Sequence, residues 1–553
     1  MPDVAAPRPP RSLGEHVVDG LRRRGVRHVF GVPGDFILGL FRIGADRGVR
    51  MVNSTREEAA AYAADGYARE RGLGAVATTF GVGALATVAA LGGANAERVP
   101  VALIGGAPGL GERDGRRLHH TPGDDLDAPR RAIAQVTCAA VVLDDLDTAL
   151  WDLERTLERC LHEHRPVYLE LPRDLIDEPV PAGARRRRRR AGDRVPPERV
   201  AAGVADARQR IDAAERPVVW SGVGVLRRGG GDRVLALAER VGAPVVESVM
   251  GKGGVREDHP LVLGVYSGAS SDDELRGLVE RSDLVVELGV DLNDINTGAF
   301  TLGVPDGRRV AADHTALAVG HRRYPGVTLD DLMDGLEATA PRGREAPAGL
   351  PAAWRTGHDG GERVTCDIVA ERLGELLRPS DIVVCDVGVA AHLMMDVRLR
   401  RARQLHIARL YVGMGFSVPA ATGARLARGR GRPVVLVGDG SFQMTGLDLS
   451  TAVSQGLDPI VLVLDNHGYG AERSIVDGPF NDIAPWDYAA VGAVVGAEGV
   501  RVTTPAELDD ALARARRGRG RAWIVWIDLD KHDVPRALRA LGAGLERLMH
   551  PTH

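Results

Sequence analysis

"GDGSFQMTGLDLSTAVSQGLDPIVLVLDNHGYG", running from Gly438 to Gly470, is the stretch whose reading decides the fold. The apolar run "PVVLV" before it delivers Asp439 between two glycines, and a second run, "PIVLVL", delivers Asp-Asn-His-Gly at 465–468. Continuous Val/Ile/Leu runs read as parallel strands buried on both faces, and ligands bind at the carboxyl ends of such strands. Leu447 to Gln455 have helical spacing, so the order is strand, Gly-Asp-Gly-Ser turn, helix, strand. Glycines let a backbone approach a phosphate closely, and the amides opening a helix face it. Asp439 is a hard oxygen donor beside that phosphate, as Mg²⁺ requires. Asn466, 27 residues later, adds an amide oxygen, and Gly468 permits a turn whose carbonyl is a third ligand. A lone GDG is usually only a tight turn. With both strands and their spacing intact, a metal and phosphate site is the better reading.

The same βα alternation continues outward through "HVFGVPG", "VPVALIGG", "RPVYLELP", "RPVVWSG", "SDLVVELG", "DIVVCDVG" and "AWIVWIDLD". Two breaks in composition, the six arginines Arg185–Arg190 and the Pro- and Gly-rich stretch at 340–361, divide the 553 residues. The expected class is therefore α/β, with three doubly wound parallel-sheet domains at 1–183, 197–340 and 360–545. No short-period repeat is present. With 71 basic and 75 acidic residues the formal charge is −4, so no global field draws the chain to nucleic acid or an anionic membrane. The arginine run reads as a solvated linker. The four cysteines have no CxxC spacing, the N-terminus has no apolar h-region, and no run of 18 apolar residues occurs. These features predict a reduced, cytoplasmic protein without a membrane span.

The Gly438–Gly470 stretch resembles the diphosphate-binding motif of thiamine diphosphate (ThDP) enzymes, and other segments agree along nearly the whole chain. The three units would then be pyrimidine-binding, central nucleotide-type and diphosphate-binding domains. The resemblance implies that Asp439, Asn466 and the Gly468 carbonyl bind Mg²⁺ while Gly440 and Ser441 hold the diphosphate. "NSTREEAAAYAADGYARERG" resembles the segment whose glutamate bonds the aminopyrimidine ring, which places the activating residue at Glu57; Glu58 lies about 100° around the helix. "YVGMGFSVPAATGARLA" resembles the segment contacting the pyrimidine, with Met414 holding the cofactor bent and the Val412 carbonyl accepting from its amino group. Val412 replaces a common glycine, which puts packing in doubt more than chemistry. The family assembles its active sites between subunits, so a homodimer or homotetramer is implied. The central unit resembles one that holds FAD in some relatives, but no feature here asks for flavin.

Four features resemble the pyruvate and indolepyruvate decarboxylase branch: Asp35 in "VFGVPGDFILGLF", His119 and His120 in "RRLHHTPGDDLD", Glu472 in "NHGYGAERSIVDG", and "GVDLNDINTGAFT" in the central unit. The implied catalytic set is Asp35, Glu57, His119, His120 and Glu472. Two imidazoles and two carboxylates can relay the protons of addition, of enamine protonation after CO₂ loss, and of aldehyde release near neutral pH. Pocket positions that are large in pyruvate-specific relatives read Ile295, Ala391 and Ala471, with Ile475 also placed at the pocket. The expected substrate is thus a bulky 2-oxo acid, such as an arylpyruvate or long branched acid. His392 would contact a polar substrate group or be a satisfied structural histidine, and Arg473 would face a substrate carboxylate or only solvent. Carboligation of the enamine to a 2-hydroxyketone is the alternative activity.

Overall fold

The structure, a computed structural model, describes residues 11–113, 118–181, 195–339, 341–347, 350 and 362–539. The Arg185–Arg190 linker and most of the 340–361 break lie outside the described residues. Three sheets account for the strands. The first contains β1 (His28–Gly31), β2 (Arg50–Asn53), β3 (Gly74–Thr78), β4 (Val101–Ala107), β5 (Ala139–Val142) and β6 (Val167–Pro172), all parallel in the order β2-β1-β3-β4-β6-β5. The central sheet is built from β7 (Pro217–Ser221), β8 (Val245–Glu247), β9 (Val262–Val265), β10 (Leu284–Leu288), β11 (Arg309–Ala312), β12 (Ala316–Val319) and β13 (Arg322–Pro325), in the order β13-β12-β11-β10-β7-β8-β9. In the third, β14 (Ile382–Cys385), β15 (Leu405–Ile407), β16 (Pro433–Gly438), β17 (Ile460–Asp465), β18 (Glu498–Val502) and β19 (Trp523–Asp528) follow the order β15-β14-β16-β17-β19-β18. Helices flank each sheet, as the βα alternation requires.

Two expectations need refinement. The central sheet is not wholly parallel, because β12 and β13 pair antiparallel at its edge. Only Gly320 and His321 join them, with Gly320 left-handed at φ +56°, and a parallel crossover needs a dozen residues or more. The expected Gly-Asp-Gly-Ser turn is not a separate loop either. β16 runs to Gly438 and a helix starts at once, Asp439–Thr445, followed by a 3₁₀ turn, Gly446–Asp448, and a second helix, Leu449–Ser454. The break falls where the buried Asp448 carboxylate accepts from the Thr55 amide of the first unit (2.9 Å) and from Thr451 Oγ1 (2.9 Å).

The first and third sheets have the same strand order, and the chain leaves β2 and β15 into equivalent helices, Glu57–Arg71 and Ser417–Arg428. These helices pack face to face, and small residues allow it. A β-carbon on Gly66 would lie 2.1 Å from the Ala420 carbonyl oxygen, and one on Gly423 would lie 1.8 Å from that of Ala63. Polar contacts fasten the ends: Glu70 accepts from His406 (2.6 Å) and from Arg428, while Arg69 reaches the Ile407 carbonyl (2.8 Å). Although burial opposes it, this pairing with His406 and Arg428 holds Glu70 down at about 2. One apolar cluster consequently runs from Phe30, Val76 and Leu103 through the helix pair to Val435, Val463 and Ile524.

Gly423→Ala is expected to destabilise the protein by about 1–3 kcal/mol through overpacking. Gly374→Ala, in a helix where an added β-carbon meets nothing, should stabilise it by roughly 0.5–1 kcal/mol. Thermal melting of the two variants side by side checks the contrast.

Candidate active site

In both equivalent sheets the strand order reverses beside the first strand, between β1 and β3 and between β14 and β16. Crevices for ligands open at such switch points, and the candidate residues gather at these two. Asp35 follows β1. Its Oδ2 lies 2.8 Å from His119 Nε2 and 3.5 Å from an Arg173 nitrogen, and its Oδ1 is 3.6 Å from His120 Nε2. Phe36 fixes the cluster from below: His119 stacks on its ring at 4.9 Å between centroids, and the Arg173 guanidinium covers it at 4.7 Å. His120 is left-handed (φ +67°), and its carbonyl lies where a β-carbon of Gly81 would be, 1.9 Å away. The loop after β3 also receives Glu57, the first residue of its helix, whose Oε1 sits 3.3 Å from the β-carbon position of Gly83. Glu58 instead pairs with Arg56 at 3.0 Å. The structure therefore brings Asp35, His119, His120 and Glu57 onto one wall around residues 79–83. Thr79 is a member that the sequence reading missed: it packs against both Gly34 and Gly83, and its buried hydroxyl has no hydrogen-bond partner.

The second wall is the carboxyl edge of the third sheet. Asp439 is 1% exposed. Its Oδ1 accepts the Gly440 amide (2.8 Å), and its Oδ2 accepts the Gly468 amide (2.7 Å). Burial, and after it the neighbouring Asp465 carboxylate, push Asp439 up to about 8. Asp465 is itself held by the Trp526 indole (2.7 Å) and the His467 amide (3.1 Å). Asn466 is 3% exposed, and its amide Nδ2 has no partner. Two adjacent buried carboxylates and the amide oxygen of a buried asparagine are the kind of oxygen ligands that a hard divalent cation takes. The cradle around it is shaped by glycines: a β-carbon at Gly440 would strike the Tyr469 ring at 2.8 Å, whereas at Gly438 it would meet open space. Gly468 is fixed at φ +138°, and a β-carbon there would lie 1.9 Å from the Asn481 carbonyl. The site residues therefore fit Mg²⁺ with a diphosphate beside it.

Ser441 does not stand free at that edge. It neighbours Asp386, a fully buried carboxylate just past β14 that accepts the amides of Val387 (3.1 Å), Gly415 (3.2 Å) and Ser417 (3.0 Å). Asp386 thereby positions the loop carrying Met414, whose terminal methyl lies 3.6 Å from the Gly440 β-carbon position. The signal for it was "CDVG", a second strand ending in aspartate. Val412 stands exposed with φ +56°, so the cost of replacing glycine there is conformational, since a β-branched side chain is strained in the left-handed region.

The pocket candidates lie on separate elements. Ala391 is buried on the helix Val389–Asp396, and its carbonyl accepts from Arg409. His392 Nδ1 lies 2.9 Å from the Gly388 carbonyl, and burial pushes the imidazole down to about 4. Its Nδ1 is thus engaged by the helix's own backbone, while the residue stays partly exposed. Ile295 belongs to the short helix Asp294–Thr297 of the central unit, Ala471 packs against the third unit's core, and Ile475 is 61% exposed. Glu472 is exposed. Among the described residues neither Glu57 nor Glu472 makes a side-chain bond to another candidate. Both readings of Arg473 are corrected: it is buried and donates to the Asn466 carbonyl (3.1 Å) and the His467 carbonyl (2.9 Å), facing neither solvent nor an open pocket.

The chain matches three thiamine pyrophosphate enzyme models, the N-terminal TPP binding domain over residues 11–129, the central domain over 204–329 and the C-terminal TPP binding domain over 386–526. It belongs to the thiamine pyrophosphate enzyme family. It is 33% identical over 550 residues to the indole-3-pyruvate decarboxylase of Azospirillum brasilense, covering 97% of this chain and 98% of the relative. It is also 32% identical over 546 residues to the alpha-keto-acid decarboxylase of Mycolicibacterium paratuberculosis (97% and 96%), and 32% over 545 residues to that of Mycobacterium tuberculosis (96% and 97%). Within the family it is thus placed among the ThDP-dependent 2-oxo acid decarboxylases.

Val412→Gly is expected to stabilise the protein by roughly 1–2 kcal/mol, the cost of a left-handed L-residue, read as a higher melting temperature.

Proposed function

We propose that this chain removes CO₂ non-oxidatively from a 2-oxo acid with a bulky side chain and releases the aldehyde, with ThDP and Mg²⁺ bound at the carboxyl edge of the third sheet. One observation carries the acid–base part. Asp35 lies within 2.8 Å and 3.6 Å of two adjacent imidazoles at the switch point of the first sheet. A carboxylate in that position orients the histidines, and imidazole is the side chain most often used to pass protons in catalysis. When bound, ThDP supplies the nucleophilic carbon and the electron sink. Asp439, Asn466 and the Gly468 carbonyl hold the metal, Gly440 and Ser441 the diphosphate, and Val412 and Met414 the ring through backbone and side chain. Glu57 bonds the ring nitrogen. Glu472, outside its strand end, is the second carboxyl group in proton transfer. The small Ala391 and Ala471, with Ile295 and Ile475, leave room for an aromatic or branched side chain. The relatives' decarboxylase names do not favour the acyloin-forming alternative.

Wild-type protein with ThDP and Mg²⁺ should release CO₂ and aldehyde from phenylpyruvate or indolepyruvate faster than from pyruvate. Glu57→Gln should reduce turnover by about 10²–10⁴-fold, the contribution typical of acid–base groups, while the fold is kept. No turnover across a broad panel of 2-oxo acids would reject the proposal.

What supports an oligomer is the apolar surface that the two walls leave uncovered. Val82 (56%) and Leu38 (52%) on the first wall, and Val476 (61%) and Phe480 (67%) on the second, are large apolar side chains in the open. Apolar surface gathered beside a site is ordinarily covered by a partner, and a second copy covers both edges if the first wall of one subunit meets the second wall of the other. No helix among the described residues is long and apolar enough to cross a membrane, and the four buried cysteines are all free. A cytoplasmic homodimer or homotetramer is the form proposed. Sedimentation should show no active monomer.

A further inference from the structure

The guanidinium of Arg473 sits at the centre of a loop that the proposed chemistry leaves unexplained. Its side chain is 3% exposed. Nη1 donates to the Asn466 carbonyl at 3.1 Å, and Nη2 donates to the His467 carbonyl at 2.9 Å and to Asp482 Oδ1. Its Nε is 3.6 Å from Asp477. Around it the chain closes on itself, with the Tyr469 amide donating to the Asn481 carbonyl (2.9 Å) and Asn481 Nδ2 to the Val476 carbonyl (2.9 Å). One side chain therefore ties together residues 466–467, 477 and 482.

We infer that Arg473 is a positioning residue that sets the metal loop and the Glu472 carboxyl in one register, an inference resting on the ThDP–Mg²⁺ reading of the site. Fixing the carbonyls of Asn466 and His467 fixes the 466–467 and 467–468 peptide planes, the two that flank His467. Asn466 and Gly468 sit at the two ends of that pair of planes, so the backbone from which both proposed ligands project is held. Glu472 precedes Arg473 on a helix of only four residues, Gly470–Arg473, too short to hold its own orientation. The arginine that follows it supplies the anchor. A monovalent cation beside a divalent one is electrostatically unfavourable, which Asp477 and Asp482 offset. Arginine suits the task because its rigid fork offers five donors, enough for two carbonyls and a carboxylate; lysine offers a single point of donation.

The test uses full-length protein stripped of metal with a chelator and then titrated with Mg²⁺ at saturating ThDP. Binding is read by tryptophan fluorescence, since the Trp526 indole is bonded to Asp465. Arg473→Met should raise the half-saturating Mg²⁺ concentration about 10-fold or more, the usual range for a residue supporting metal ligands. Arg473→Lys should fall between it and wild type. At saturating cofactor, kcat should drop through misplaced Glu472, while the KM for phenylpyruvate stays within about twofold of wild type. If KM rises with Mg²⁺ affinity unchanged, Arg473 binds the substrate carboxylate and the inference is wrong. Lower melting temperature with unaltered affinity and kcat would reduce it to a fold residue and also overturn the inference. Should Arg473→Met fail to fold, Asp482→Asn, which loosens the guanidinium from one side, must raise the Mg²⁺ requirement in the same direction; an unchanged value refutes the clamp. Wild-type protein that takes up neither Mg²⁺ nor ThDP removes the cofactor reading and this inference together, whereas equal uptake by wild type and variants removes only the clamp.

Discussion

Everything at the carboxyl edge of the third sheet turns on the burial of one carboxylate. Asp439 accepts an amide from its own helix with one oxygen and an amide from the loop after β17 with the other. It thereby joins the ends of two neighbouring strands through a single side chain. The arrangement holds Asp439 against Asp465 in a place shielded from water, which is costly for two like charges. A cation bound there would offset that cost. Glycine is required at 440 and 468 because the space a β-carbon would take is filled by Tyr469 and by the Asn481 carbonyl.

The same device is repeated along the sheet. β14 is followed by Asp386, β16 by Asp439, and β17 ends in Asp465, so three adjacent strands present carboxylates at one edge. Asp386 accepts three backbone amides, those of Val387, Gly415 and Ser417. Its task is to hold the Met414 loop and the start of the Asp439 helix in one frame. The first sheet has the same strand order but places its carboxylate in the open, where Asp35 meets two imidazoles. One topology thus carries two arrangements, a buried acidic edge and an exposed acid–imidazole cluster.

Much of this was legible in the sequence. The continuous Val/Ile/Leu runs announced parallel strands, and "GDG" with "DN" at their ends marked the edge where Asp439 and Asn466 come together. The adjacency of Asp35 to His119 and His120, 84 residues from the aspartate to the first histidine, was legible only through resemblance, because spacing alone does not bring those positions together. What was missed depended on three-dimensional neighbours. Arg473 looked like an exposed charge next to Glu472, and nothing in its local sequence shows that two carbonyls and a distant aspartate enclose it. The β12–β13 hairpin was lost among short runs that read equally well as parallel strands. The helix at Asp439 starts directly after the strand, with the Asp439 carboxylate accepting the Gly440 amide, which composition does not reveal.

The reciprocal fit of Gly66 against Ala420 and Gly423 against Ala63 makes one polypeptide behave as an internal pseudo-dimer, two like-ordered halves docked about an approximate twofold. The halves are far apart in synthesis: Glu70 and its partner Arg428 are separated by 358 residues. During translation the alanine-lined helix of the first half must wait, uncovered, until the second emerges, with the central unit folding in between. A fragment cut after the first half would retain its sheet but carry an unsatisfied apolar face into solution.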